Sequence, residues 1–186
     1  MKHSQDLNED VAEILLSEDQ IRLKVAEIGK RISADYAGRE LTLVSVLKGS
    51  LPFMADLMRQ IELPLRIDLM EVSSYGGTST ESSGLVRILK DLSAPIDGRD
   101  VLLVEDIIDT GLTLNYLLRY LRGKNPKSIR VCSLLDKPAR RLVEIPIDYV
   151  GFEIHDAFVV GYGLDFGEVY RNLRFVGVLR PEAYES

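Results

Sequence analysis

Val101 to Thr113 reads V-L-L-V-E-D-I-I-D-T-G-L-T. Its first four residues, Val101 to Val104, are an apolar run of the kind that forms a strand buried on both faces. Glu105 and Asp106 follow at the strand's carboxyl end, and Asp109, Thr110, Gly111 and Thr113 make a small polar turn. Leu114, Leu117, Leu118 and Leu121 then recur at i, i+3, i+4 and i+7, one face of a helix. The stretch is a buried strand, an acidic tip, a polar loop and a helix start.

Each part has a chemical use. A loop opening a helix offers unpaired N–H groups and the positive end of the helix dipole, which suits phosphate. Gly111 lets the backbone approach that anion, and the hydroxyls of Thr110 and Thr113 add donors. Glu105 and Asp106 repel phosphate, so two carboxylates at a strand tip suit ribose hydroxyls or hydrated Mg²⁺ instead. Singly, each acid reads as a strand end or a helix cap. Together they fit a sugar phosphate.

Outward from this stretch, strands and helices alternate. Residues 17–36 read as a helix with Ser17 as N-cap and Ile21, Val25, Ile28 and Ile32 on one stripe. Leu41 to Leu47 is a strand and Lys48-Gly49-Ser50 a turn. Pro52 opens a helix carrying Phe53, Met54, Leu57, Met58 and Ile61, which Pro64 stops. Leu65 to Val72 and Leu85 to Leu89 are strands, and Ser73 to Gly84, rich in Gly, Ser and Thr, is a lid between them. Gly123 ends the central helix. Ile129 to Leu135, Asp148 to Ile154, Phe158 to Gly161 and Phe175 to Leu179 are the remaining strands. This order means βαβ units and a parallel sheet, whose ligands lie beyond the strands' carboxyl ends. The loops at 48–50, 105–113 and 136–138 are therefore expected at one edge.

Composition narrows the class. The 186 residues suit one domain able to bury roughly 70% of its unfolded surface. No apolar run approaches the ~20 residues that span a bilayer, and Met1 to Asp10 resembles no targeting peptide, so a cytoplasmic protein without membrane contact is expected. The lone Cys132 reads as a buried, inert thiol. A net charge of −6 argues against a nucleic-acid surface and requires an anionic substrate to find its cations locally. Lys48-Gly49-Ser50 lacks the leading glycine of a P-loop, and Gly161, Gly163 and Gly167 are one residue too long for the dinucleotide fingerprint. With only His3 and His155 and no C-x-x-C, zinc is excluded; no G-x-S-x-G is present for a hydrolase elbow.

The central run closely resembles the signature with which type I phosphoribosyltransferases bind 5-phosphoribosyl-1-diphosphate. Leu47-Lys48-Gly49, Ser73-Ser74-Tyr75-Gly76, Asp136-Lys137, the block Phe158 to Asp165, and Arg171 resemble the hypoxanthine (hypoxanthine-guanine) branch, and the similarity extends from about residue 8 to residue 180. It implies an α/β fold with a central, mostly parallel sheet flanked by helices. A single domain over 1–186 has its core at about 37–135 and a small hood from about 1–16 and 136–186. The implied reaction joins hypoxanthine, and guanine, through N9 to C1 of the ribosyl donor and expels diphosphate, giving IMP or GMP.

The same resemblance distributes roles. Lys48, Gly49, Arg171 and the block Glu105, Asp106, Ile107, Ile108, Asp109, Thr110, Gly111, Leu112 and Thr113 match the donor-binding set. Of these, Asp109 to Thr113 hold the 5′-phosphate, and Lys48, Gly49 and Arg171 the diphosphate. Glu105 and Asp106 hold the ribose hydroxyls and, with Asp165, Mg²⁺. Asp109 matches the acid that takes a proton from purine N7. Lys137 matches the donor to the 6-oxo group, Phe158 the ring that stacks on the base, and Val159 and Asp165 its far edge. Ser74 and Tyr75 match the closing lid. In the family the peptide bond before the lysine is cis. A homo-oligomer, dimer or tetramer, is implied. Rival readings are an RNA-binding regulator on this fold, which requires a basic face, a transferase for another base such as xanthine, and a sugar-phosphate module, which needs neither lid nor Asp109.

Overall fold

The computed structural model describes residues 7–74 and 86–184. Tyr75 and the rest of the expected lid lie outside the described residues, as does the side chain of Ser74. In chain order the elements are β1 (Val11–Leu16), α1 (Glu18–Asp35), β2 (Leu41–Leu47), α2 (Leu51–Met58), β3 (Leu65–Ser74), β4 (Val86–Lys90), β5 (Asp100–Ile108), α3 (Leu112–Arg122), β6 (Ser128–Asp136), β7 (Tyr149–Glu153), β8 (Val159–Val160), β9 (Val176–Leu179) and α4 (Pro181–Tyr184).

A six-stranded sheet has the order β4-β3-β2-β5-β6-β7. All of its pairings are parallel except β3 with β4. β5 is central, and its alternation serves both faces. Leu102 and Val104 pack with α1 and α2 through Ile21, Val25, Phe53 and Leu57. Val101 and Leu103 pack with α3 through Leu114, Leu117, Leu118 and Leu121. Helices on both faces explain why β5 is a continuous apolar run rather than an alternating one. At the head of α1, Ser17 accepts from the Gln20 amide while Gln20 accepts from the Ser17 amide, a capping box that starts the helix.

A second sheet, antiparallel with order β1-β9-β8, is made from both ends of the chain. It packs as a separate small cluster around Val11, Val160, Tyr170 and Leu179. The strand β1 has no counterpart in the sequence reading, because Val11–Leu16 follows an acidic run and pairs only with residues far along the chain. β7 joins the large sheet although it falls within residues 136–186, so the hood is not one contiguous block.

Two boundaries differ from expectation. The loop expected at 105–113 shrinks to Asp109–Gly111, because Ile107 and Ile108 continue the ladder opposite Leu135 and Asp136. The helix expected to reach Pro64 ends at Met58, and Ile61 enters the core from beyond it. There Gln60 lies so close to α1 that a Cβ on Gly29 would sit 2.4 Å from that of Gln60.

Candidate active site

Because β2, β5 and β6 are parallel neighbours, their carboxyl ends bring residues 48–50, 105–111 and 137 to one edge. A cavity of about 980 Å³ opens there, lined among others by Lys48, Gly49, Asp106, Ile107, Asp109, Lys137, Phe158, Val159, Asp165 and Arg171. The small sheet supplies Val159, Val178 and Leu179 as its far wall. A smaller cavity of about 270 Å³ lies over Glu105 to Gly111, Thr113 and Leu114. The residues singled out in the sequence thus converge, Tyr75 and the Ser74 side chain lying outside the described residues.

The smaller cavity is built around the start of α3. Gly111 is its N-cap, at φ +81°, in the left-handed region that glycine tolerates. The turn is tied across the chain by the Leu142 amide, which donates to the Thr110 carbonyl at 3.0 Å. A helix N-terminus facing a cavity is an anion site.

Glu105 and Asp106 sit at the end of β5, and burial is the main cause raising both carboxyls. Glu105 lies well above the ordinary carboxylate range, Asp106 adding repulsion, and Asp106 is pushed up to about 6. Asp106 is held by the Ile107 amide, which donates to its Oδ1 at 2.8 Å. Its other oxygen faces the β2 loop, where a Cβ on Gly49 would lie 1.8 Å from Oδ2. The peptide between Leu47 and Lys48 is cis. Among the described residues no three His, Cys, Asp or Glu side chains form a ready metal cage. Mg²⁺ is often held through one or two carboxylates with substrate oxygens completing its shell. One buried and one half-buried carboxyl side by side, Glu105 and Asp106, both with raised pKa values, are a donor set that fits it.

These acids make a testable cost. Asp106 has a folded pKa of about 6 against an ordinary 3.8. Its ionisation therefore destabilises the ligand-free protein above pH ~6, and the cost vanishes below the unfolded value. Asp106→Asn should raise the melting temperature of the ligand-free protein at pH 8 by about 3–8 °C, from an upper bound of ~3 kcal/mol. The gain should disappear at pH 4. Thermal unfolding at the two pH values reads it, and an equal gain at both would exclude burial of charge as the cause.

The local cations are in place and already engaged. Lys48 Nζ pairs with Glu168 at 2.7 Å. Arg171 pairs with Asp165 at 2.8 Å and Glu168 at 3.1 Å, and donates to the Gly163 carbonyl at 2.7 Å. On the opposite wall Lys137 Nζ donates to the Ala157 carbonyl at 2.7 Å and lies 3.5 Å from Asp156. Phe158 is held edge-on by Phe166 and stacked with Tyr184, centroids 5.6 and 5.0 Å apart. Asp109 pairs with Arg140 at 3.1 Å. Sequence reading missed Arg140, Asp156, Glu168 and Tyr184, which have no motif spacing of their own and enter only through these contacts.

A family model described as the phosphoribosyl transferase domain matches residues 11–167. The hypoxanthine-guanine phosphoribosyltransferase of Bacillus subtilis is 52% identical over 186 residues, covering 100% of this chain and 99% of that one. Its counterpart in Streptococcus agalactiae is 52% identical over 180 residues, covering 97% and 99%. The crystal structure of a hypoxanthine phosphoribosyltransferase from Staphylococcus aureus superposes with a TM-score of 0.94 at 45% identity, covering both chains in full. Parallel β2, β5 and β6 carry Lys48, the paired acids with the helix start at Gly111, and Lys137 to one edge, and by its sequence and fold this chain belongs to the phosphoribosyltransferase family.

Proposed function

We propose that the chain is a purine-salvage transferase that joins hypoxanthine, and guanine, to 5-phosphoribosyl-1-diphosphate, giving IMP or GMP and diphosphate. One observation carries the reading. Along the two cavities, which share Asp106, Ile107 and Asp109, run the helix N-terminus at Gly111, the acids Glu105 and Asp106, the cations Lys48 and Arg171, and the buried ammonium of Lys137. That sequence of charges matches a 5′-phosphate, a ribose diol, a diphosphate and a 6-oxo base in order.

The bond from C1 of the ribose to the diphosphate oxygen breaks, and the bond from C1 to purine N9 forms. Asp109 takes the proton from N7. A carboxylate in water is a weak base for this step, so the transfer depends on the dry, closed complex. Glu105 and Asp106 hold the ribose hydroxyls. Glu105, Asp106 and Asp165 would hold Mg²⁺, which would supply positive charge to the departing diphosphate. Lys48, the Gly49 backbone and Arg171 add theirs, and stabilising this charge is the largest contribution expected. To do so they exchange Glu168 and Asp165 for the diphosphate. Ser74 and Tyr75 close the site against water. The enzyme acts in the cytoplasm as a homo-oligomer, dimer or tetramer. Among the described residues no helix is long and apolar enough to cross a membrane.

Lys137 reads the base. Its ammonium has three donors, of which one is given to the Ala157 carbonyl while Asp156 lies 3.5 Å away, so a donor remains for the 6-oxo group. Adenine places an amino donor there, leaving donor against donor. Lys137→Ala should lower kcat/KM for hypoxanthine by about 10- to 100-fold, the worth of one charged hydrogen bond, and change adenine far less. Retained discrimination would move base reading elsewhere. The parent reading is tested by a spectrophotometric assay with the ribosyl diphosphate, Mg²⁺ and each of hypoxanthine, guanine, xanthine and adenine. Turnover with the first two is expected, and turnover with none overturns it.

A further inference from the structure

We infer that Arg140 is a positioning residue that sets the distance between the proton acceptor and the base-reading lysine. The inference rests on the roles proposed above for Asp109 and Lys137. Four charges alternate along one wall of the large cavity. Arg140 Nε lies 3.1 Å from Asp109 Oδ1. Arg140 Nη1 lies 3.5 Å from Asp156 Oδ2, and Asp156 Oδ1 lies 3.5 Å from Lys137 Nζ. The chain is acid, base, acid, base, with Asp109 at one end and Lys137 at the other, and all four line the cavity.

The backbone makes this arrangement. Lys137 is the N-cap of a 3₁₀ turn at Pro138–Arg140, and the Arg140 amide donates to the Lys137 carbonyl at 3.1 Å. Lys137 stands just before the turn and Arg140 ends it, and both line the same cavity. The turn is anchored to the catalytic strand at both ends: the Lys137 amide donates to Ile108 at 3.0 Å and the Leu142 amide to Thr110 at 3.0 Å. Asp109 lies between those two carbonyls in sequence, so loop and turn move together.

The ligand explains why this spacing matters. On a 6-oxopurine, N7 and O6 share one edge. A base held at N9 by the ribose presents that edge as a pair, one group to Asp109 and one to Lys137. The rigid fork of a guanidinium, bonding in two directions at once, fixes the relative position of the two carboxylates that flank the pair. It also separates Asp109 from Asp156, which would otherwise repel along the same wall.

A merely structural ion pair predicts something different. Arg140, Asp109 and Asp156 side chains are 40%, 42% and 52% exposed, so these pairs add little to folding stability. Arg140→Gln should therefore fold and melt like the parent chain. Its kcat/KM for hypoxanthine should fall by about tenfold or more, while KM for the ribosyl diphosphate stays within about twofold. Arg140→Lys keeps the charge without the fork and should recover only part of the loss. In the Asp109→Asn background, Arg140→Gln should lower kcat by clearly less than it does alone, because the group it positions is already inactive. Steady-state kinetics on the parent chain and the four variants, with melting curves, decide. Unchanged hypoxanthine kinetics, a parallel loss for both substrates, full recovery by Arg140→Lys, or additive losses in the double variant would each overturn the inference. Turnover of the parent chain with hypoxanthine alongside any of these sinks the inference alone; no turnover of the parent chain sinks the proposed function and the inference with it.

Discussion

Asp109→Asn is expected to lower kcat for hypoxanthine by about 10²- to 10⁴-fold, the range a positioned general base contributes, with KM for the ribosyl diphosphate little changed. The reasoning is local. Asp109 directly follows the last residue of β5, two residues before the N-cap of α3, so its backbone is fixed by the strand ladder on one side and the helix on the other. Asn occupies the same space and keeps an oxygen toward the Arg140 guanidinium, which donates to Asp109 at 3.1 Å. What it cannot do is accept a proton from N7. Single-turnover kinetics separate that loss from binding, and an unchanged chemical step would remove Asp109 from the mechanism.

The second large effect comes from a residue with no side chain. Gly49→Ala should cost roughly 10²-fold in kcat/KM, the scale of a misplacement of about 1 Å among reacting groups. The added methyl would meet Asp106 Oδ2 at 1.8 Å. Asp106 is not free to yield without loss, because its Oδ1 accepts the Ile107 amide at 2.8 Å. The loop cannot yield either. Behind it Gly163, at φ +101°, approaches so closely that a Cβ there would lie 1.9 Å from the Gly49 carbonyl. The methyl must therefore displace the Asp106 carboxylate, the group proposed above to hold the ribose and Mg²⁺. The variant should fold, bind hypoxanthine weakly altered, and lose affinity for the magnesium–ribosyl diphosphate complex, measured by calorimetry. Parent-like affinity would show that Asp106 does not touch that ligand.

Much of this site was legible along the chain, for particular reasons. Ser17 announces the start of α1 because an N-cap is a contact across three residues, and the structure adds Gln20 as its capping-box partner. The leucines of α3 announce a buried face because helical periodicity repeats every turn. Gly111 announces a close backbone approach, and the structure adds its left-handed conformation at the helix start. The end of α2 was misplaced because Ile61 satisfies the helical pattern while serving the core from a loop. β1 stayed hidden because its only partner is β9, at the far end of the chain.

The strand–acid–loop–helix unit and its candidate phosphate and diol groups can be read from the residues alone, since each rests on interactions within a few residues; the base-facing residues came only with the family resemblance, and the parallel sheet from the alternation of strands and helices. Only the tertiary structure decided what stands opposite what. It placed Arg140 on Asp109 across 31 residues, Glu168 on Lys48 across 120, and Asp106 against the space where Gly49 has no side chain. Those contacts depend on the order β2-β5-β6 and on a hood drawn from both chain ends, and no local periodicity encodes an order of strands.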